Sequence, residues 1–235
     1  MDINSKFSQA AVIAASIAFL GMCIKAGIDD FADKDRNVTV KGLAEKEVEA
    51  DKVTWPIPTK ELGNDLPELY SRINATTQKV KTFLKQHGLK DEEISVNAPV
   101  VIDLNADQYN NNLRAFRYNI TSTITVTSRN VKLVRNIMAR QGELLKQGVA
   151  VVDGGYENRT TYEFVSFQQM KPQMMQEAIK NAETTAEQFA KNSKSSLDKI
   201  MHADQGQFSI DDRDQNTPYI KKVRVVTTVT YSLKD

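Results

Sequence analysis

Apolar and polar positions alternate with two different periods along the chain. Over residues 37–51, Val38, Val40 and Val48 surround Gly42 and predict a strand that bends near the glycine. Val53, Trp55 and Ile57 then share one face of a second strand. Pro56 and Pro58 stand two apart, so both missing N–H groups fall on one side, which predicts an edge strand or one leaving the sheet. Leu66, Leu69, Ile73, Val80, Phe83 and Leu84 switch to helical spacing. Asp65 and Pro67 open that helix and His87-Gly88 close it. Ile94 and Val96 begin a short strand that Pro99 interrupts. Residues 103–112 read as a polar loop of about ten residues, long enough to carry contacts. Phe116, Tyr118, Ile120, Ile124 and Val126 mark a long Thr-rich strand. Val131, Val134, Ile137, Met138, Leu144 and Leu145 predict one further helix, ended by Gly148. A brief strand at 150–152, a turn at Asp153-Gly154-Gly155 and a strand at 160–167 follow.

The next helix, predicted over 172–193 with Pro172 in its first turn, is unusual. Ala178, Ala182, Ala186 and Ala190 recur every four residues and stack into one ridge. So small a ridge lets another backbone approach closely. Met174, Met175, Ile179 and Phe189 are expected to widen it into an apolar face. A weak strand at 201–210, a charged loop at 211–218 and a last strand from Val223 to Leu233 complete the pattern.

The order strand, helix, short strand, polar loop, long strand thus occurs twice, over about 53–127 and about 160–233. This predicts an α+β domain spanning 37–235. Its two related halves are expected to share one core, with helices packed on one face of antiparallel sheets.

Residues 7–24 form an 18-residue run without charge. At about 1.5 Å per residue it just reaches a hydrocarbon core. Lys6 and Lys25 bracket it, and its apolar residues surround the helix instead of forming a stripe. Residues 1–28 are read as a signal anchor or signal peptide, and 29–36 as a short juxtamembrane linker. A third reading makes Cys23 a lipidated residue after Leu20-Gly21-Met22, although Met22 is bulky where a small residue is expected. A weak positive bias places the N-terminus in the cytoplasm.

The chain has 235 residues and a net charge of +1, a balance that argues against a nucleic-acid partner. Cys23 is its single cysteine, so no intrachain disulfide can form. His87, at a helix C-terminus, reads as a cap. His202 has no ligand-spaced companions and does not point to zinc. Asp212-x-Asp214-x-Asn216 and Asp103-x-Asn105-x-Asp107 have the opening spacing of calcium loops. The first places Thr217 where Gly is needed and Val223 where the bidentate Glu belongs; the second places Gln108 and Arg114 there. Both read better as solvated turns. Met170, Met174 and Met175 could offer sulfur to copper(I), but methionine is more often a core filler. Glu92-Glu93 and the glutamates of 45–49 read as exposed edges. Tyr109 and the asparagines at 110–112 could contact a partner. No catalytic, cofactor-binding or metal-ligating residue is assigned, and the chain is not expected to be an enzyme.

The opening Val38-Thr-Val-Lys-Gly-Leu-Ala-Glu-Lys-Glu-Val-Glu-Ala-Asp51 resembles that of the SIMPL-domain family. There a Val-x-Val-x-Gly strand leads to a Pro-Asp step and a second strand. Here Ala50 replaces the proline. The alanine spacing of 178–190 and the closing Thr/Val strand also resemble the family, over about 38–233. The resemblance implies an exported bacterial envelope protein, with some members forming ring-like homo-oligomers and some linked to oxidative-stress tolerance. It implies no shared catalytic residues, and Gly42, Asp51 and the alanines as structural positions. The expectation is a non-catalytic protein tethered to the bacterial inner membrane through residues 7–24, its body in the periplasm, acting as a homo-oligomer or by protein contact. Secretion to the periplasm or lipidation of Cys23 are the alternative routes. The alternative function is periplasmic binding of a small ligand or metal ion.

Overall fold

The computed structural model describes residues 3–33, 36–106, 115–155 and 158–234; the side chains of 3–11 and 29–33 lie outside the description. In chain order the elements are α1 (Ile3–Asp33), β1 (Asn37–Glu49), β2 (Lys52–Gly63), α2 (Leu66–Gln86), β3 (Ile94–Val96), β4 (Val100–Asp103), β5 (Tyr118–Ser128), α3 (Val131–Ala139), α4 (Gly142–Lys146), β6 (Thr161–Glu163), α5 (Phe167–Asn192), β7 (Ser196–Asp204), β8 (Phe208–Asp212) and β9 (Ile220–Lys234). The fold is α+β with antiparallel sheets. The chain divides into two compact units: Met1–Lys46, Met170–Ser209 and Val223–Asp235 form one, and Glu47–Gln169 with Ile210–Lys222 form the other. The sequence predicts one common core; each unit holds its own buried apolar cluster.

The four-stranded sheet has the order β1-β9-β7, with β8 also on β9. Alternate residues of β9, Val223, Val225, Thr227, Val229 and Tyr231, are buried on one face. The alanine ridge of α5 meets that sheet, packing Ala182 and Ala186 with Val40, Val229 and Tyr231. A Cβ added at Gly42 would overlap the Ala178 carbonyl and stand 2.8 Å from the Ala182 Cβ. Gly42 therefore provides the room for close approach that the sequence predicts. The buried stripe is narrower than expected: Met174 continues the alanine row, while Ile179 and Phe189 are 39% and 57% exposed. Alanines at every fourth position already bring the helix backbone against the strand, leaving no depth for flanking bulk.

In the second unit the order is β3-β5-β2-β6, with β4 also on β5. Helix α2 starts as its sequence signals require, with Asp65 accepting from the Glu68 N–H at 2.9 Å and a proline in the first turn. It ends at His87, and Gly88 takes φ of +97° just beyond. Its buried face, with Val80, Phe83 and Leu84, joins Trp55, Ile57, Ile124 and Val126 of the sheet and Val134 and Ile137 of α3. Side chains of this size each contribute about 1.5–3 kcal/mol when buried.

Several boundaries differ from the sequence reading. Strand β2 is not an edge strand, since β5 pairs it over Val53–Gly63 and β6 flanks its other side. The prolines are still accommodated as a sheet demands. Pro58 directs its carbonyl to the Val152 N–H at 3.0 Å, so its ring nitrogen and that of Pro56 face away from β5. On that side β6 covers only Lys52–Thr54, and Thr59 meets Val151 in a single bridge. The helix predicted over 131–145 is broken into α3 and α4 by turns at Arg140 and Gln141. Strand β6 is shorter than predicted because the chain turns into α5 at Phe167. That earlier start leaves Pro172 inside the helix, where the sequence placed it in the first turn. Its ring removes the N–H that would reach the Gln168 carbonyl. The weak strand predicted over 201–210 is instead two strands, β7 and β8, separated at Gln205–Gln207.

The two sheets have a similar pairing pattern, and its members differ from the predicted copies in one strand. Strand β2 pairs β5, which also carries β3 and β4; β1 pairs β9, which also carries β7 and β8. Strand β1 therefore fills the role that the sequence gave to 160–167. Helix α1 is present where the apolar run predicts one, and its described large apolar side chains, Val12 to Ile28, are 54–70% exposed. Among the described residues, no helix is long and apolar enough to cross a membrane. Residues 7–11 of the run lie outside the described side chains.

Candidate functional site

Several of the residues nominated for chemistry make structural contacts. The His87 ring packs on Phe83, with centroids 4.4 Å apart. Its Nδ1 stands 2.8 Å from the Phe83 carbonyl and its Nε2 3.4 Å from Glu143. It caps α2, as its position in the sequence predicts. His202 is on β7, exposed, with Nε2 3.0 Å from Asp204. Met174 is buried on the alanine row, while Met170 and Met175 are half-buried. Cys23 is exposed on α1.

The calcium-like loop at 212–216 turns its oxygens to the protein. Asp214 accepts from the backbone N–H of Asn216 at 2.9 Å and of Thr217 at 2.8 Å, from the Thr217 hydroxyl, and from Arg213 at 3.1 Å. The Thr217 hydroxyl, with Arg213 next, pulls its pKa down to about 2. Asp212 pairs with Lys221. In the second loop Asp103 pairs with Arg117 at 3.0 Å and accepts from the Asn105 N–H, which holds its carboxyl below the usual range. Asp107 and Arg114 of that loop, and Tyr109 with Asn110–Asn112, lie outside the described residues. Glu47 and Glu49 pair with Arg213 and Lys132, and Glu93 joins Ser128 and the Lys90 N–H. Among the described residues no three His, Cys, Asp or Glu side chains gather as metal ligands would.

Asp51 does more than shape a local turn. Its two oxygens accept from the Val165 N–H at 2.6 Å and the Ser166 N–H at 2.8 Å, so it fixes the entry to α5 from more than a hundred residues away. Burial, the largest single influence, raises its pKa, but hydrogen bonds from the Ser166 side chain and from the backbone of Val165, Ser166 and Asp51 itself together hold it below the ordinary value. Ala50 keeps the N–H that a proline would lack and donates it to the Tyr219 carbonyl at 2.8 Å. This hydrogen bond, the Asp51 anchor, and Gly42 against the alanine ridge join the positions that carried the sequence resemblance. The family model described as SIMPL, protein of unknown function (DUF541), matches residues 38–231. The chain belongs to the SIMPL family. No curated protein matches it.

Two surface features of this SIMPL chain escaped the sequence reading. Strands β3 and β4 lie end to end along one edge of β5. The four-residue step from Val96 to Val100 faces a three-residue step from Ile124 to Thr121. Pro99 thus sits in a bulge, and pairing resumes in β4. Val100, Val101 and Ile102 are 61%, 46% and 52% exposed, and among the described residues no strand pairs the outer edge of β4. Ile102 lies in register with Asn119, and Asn119 with the exposed Leu62, while the buried Asn119 Oδ1 has no hydrogen-bond partner among the described residues. Isolated apolar residues on a surface are ordinary; a run of three on an open edge is a pairing surface. A run of only three residues next to a proline gave periodicity too little to work with.

The second feature lies where α2 and α3 end. An open groove of about 770 Å³ has Leu133 and Ile137 among its lining, together with Gln86, His87, Asn136 and Arg140. Close by in the same unit, Arg135 stacks 3.3 Å from the Tyr219 ring centroid, and the Tyr162 hydroxyl points at the Met138 sulfur. Burial raises the Tyr162 phenol above its usual range, against the pull of Arg135. This cluster packs against the core of the unit.

Proposed function

We propose that this SIMPL protein is a non-catalytic protein of the bacterial cell envelope. It is held to the inner membrane by its N-terminal helix and acts from the periplasm by self-association. The observation that carries this reading is the apolar outer edge of β4, at Val100, Val101 and Ile102. A strand edge offers unpaired N–H and C=O groups in a row, and a second copy supplies the matching row with equally apolar side chains. The tether is supported by the uncharged run 7–24 and by the apolar side chains that α1 leaves exposed. A part in stress tolerance belongs to the same proposal and rests on family resemblance alone. The alternative, small-ligand or metal binding, has less support. The carboxylates of the 212–216 loop already serve Lys221, Arg213 and the loop backbone.

Light scattering of the full-length protein in mild detergent tests the proposal. The parent chain is expected to be larger than one copy at micromolar concentration. Val100→Lys with Ile102→Lys is expected to return it to a monomer with unchanged circular dichroism. A strictly monomeric parent chain would sink the reading.

A further inference from the structure

We propose that the surface where α2, α3 and α4 end docks on an anionic lipid bilayer. Helix α4 has two leucines in succession with opposite fates. Leu144 is fully buried, and Leu145 beside it is 64% exposed. Lys146 follows Leu145, Arg140 stands at the end of α3, and Lys79 reaches the Gln147 carbonyl at 3.1 Å, which brings it to the same place. Among the described residues neither Arg140 nor Lys146 has a carboxylate partner. Glu143 is the acid on α4, and its carboxylate stands 3.4 Å from the His87 ring. The surface is therefore cationic around one projecting apolar side chain.

That combination selects its occupant. An acidic protein would have to offer carboxylates for the cations and an apolar contact placed to meet Leu145. The headgroup region of an anionic bilayer satisfies both, with phosphates for Arg140, Lys146 and Lys79 and the acyl boundary for Leu145. The open groove beside Arg140 gives a headgroup room to enter. Two or three cations and one leucine make a weak site, whose occupancy rises when the chain is already held near the surface. The proposed N-terminal tether would supply that proximity, and to this extent the inference rests on the preceding reading.

The test uses the full-length chain carrying Leu145→Trp, reconstituted with vesicles. Flotation on phosphatidylcholine vesicles reports the tether by itself. Quenching of the introduced indole by brominated acyl chains reports docking. Trp55 is 5% exposed in the core and adds only a constant background. Quenching is expected in vesicles of roughly one-third phosphatidylglycerol and not in phosphatidylcholine alone. Adding Arg140→Glu and Lys146→Glu is expected to lower the bound-to-free ratio at least about tenfold. Raising salt from ~0.1 to ~1 M is expected to weaken it in the same way. Quenching that is equal in both lipids, or unchanged by the charge reversals, overturns the proposal. So does an indole that stays unquenched on anionic vesicles, which would leave the face to an acidic protein. A chain that does not float on neutral vesicles yet is quenched on anionic ones refutes the tether and upholds the docking face.

Discussion

The two units solve one topological problem with opposite materials. Each sets a helix on a sheet in which a long central strand carries a long neighbour on one side and two short strands on the other. In the second unit the gap is filled by large side chains, with Trp55, Ile57, Phe83, Leu84 and Ile124 all buried. In the first, the gap hardly exists. Ala178, Ala182, Ala186 and Ala190 are at most 2% exposed and lie against Gly42 and the strands beside it. A wide interface gains stability from apolar area, and a narrow one from dispersion contacts at short range. The wide one is sensitive to losing atoms and the narrow one to gaining them.

The largest effect expected from breaking this comparison is truncation in the second unit. Phe83→Ala should cost about 3–5 kcal/mol in urea unfolding, because the surrounding side chains cannot collapse into so large a void. Enlargement in the first unit comes next. Ala182→Leu or Gly42→Val should each cost about 1–3 kcal/mol or more, with shifts in α5 visible by hydrogen exchange. By contrast, truncating Ala182 to Gly should cost only about 1 kcal/mol, mainly from helix propensity. If enlargement at Ala182 proved harmless, the close contact between ridge and strand would be wrong.

A smaller effect separates anchoring from packing. Asp51→Ala leaves the Val165 and Ser166 N–H groups without their acceptor and should cost about 1–3 kcal/mol. The Asp51 carboxyl titrates lower in the folded chain than in the unfolded one. Its contribution is therefore complete above the ordinary carboxylate range and is lost as pH falls through the lower folded value. Acid unfolding curves of the parent chain and Asp51→Ala should converge at low pH. Curves that stay parallel would remove the carboxylate from the account.

The smallest effect is at Asp214, where the unfolded chain takes up the proton first. The Asp214 carboxylate is expected to stay ionised, and to keep its hydrogen bonds, until pH approaches about 2. Carboxyl NMR should show that low midpoint, and Thr217→Val should raise it toward the usual value. An unchanged midpoint would mean that the Thr217 hydroxyl is not the main cause.

Much of this architecture was legible because local chemistry and tertiary packing agree. Asp65, Pro67 and Gly88 bound α2 as their backbone preferences require, and the alternation in β5 and β9 matches their buried faces. The reading failed where a distant group decides the local outcome. Helix α5 begins before Pro172 where Asp51 anchors its entry. Prolines two apart in β2 suggested an edge, yet a neighbour that pairs only one end of a strand leaves room for both. Ile179 and Phe189 follow the helical pattern and are still exposed, since a ridge of alanines brings the backbones too close for flanking residues to reach inside. The β4 edge and the surface around Leu145 draw on short segments with no periodic signal.

Most of the elements, the alanine ridge and the family can be read from the residues, because each is written close along the chain or in a regular period. Packing in three dimensions settles which strand completes each sheet, that Asp51 holds α5, and which apolar residues face water. Those outcomes depend on groups far apart in sequence meeting in space, and periodicity carries no record of such meetings.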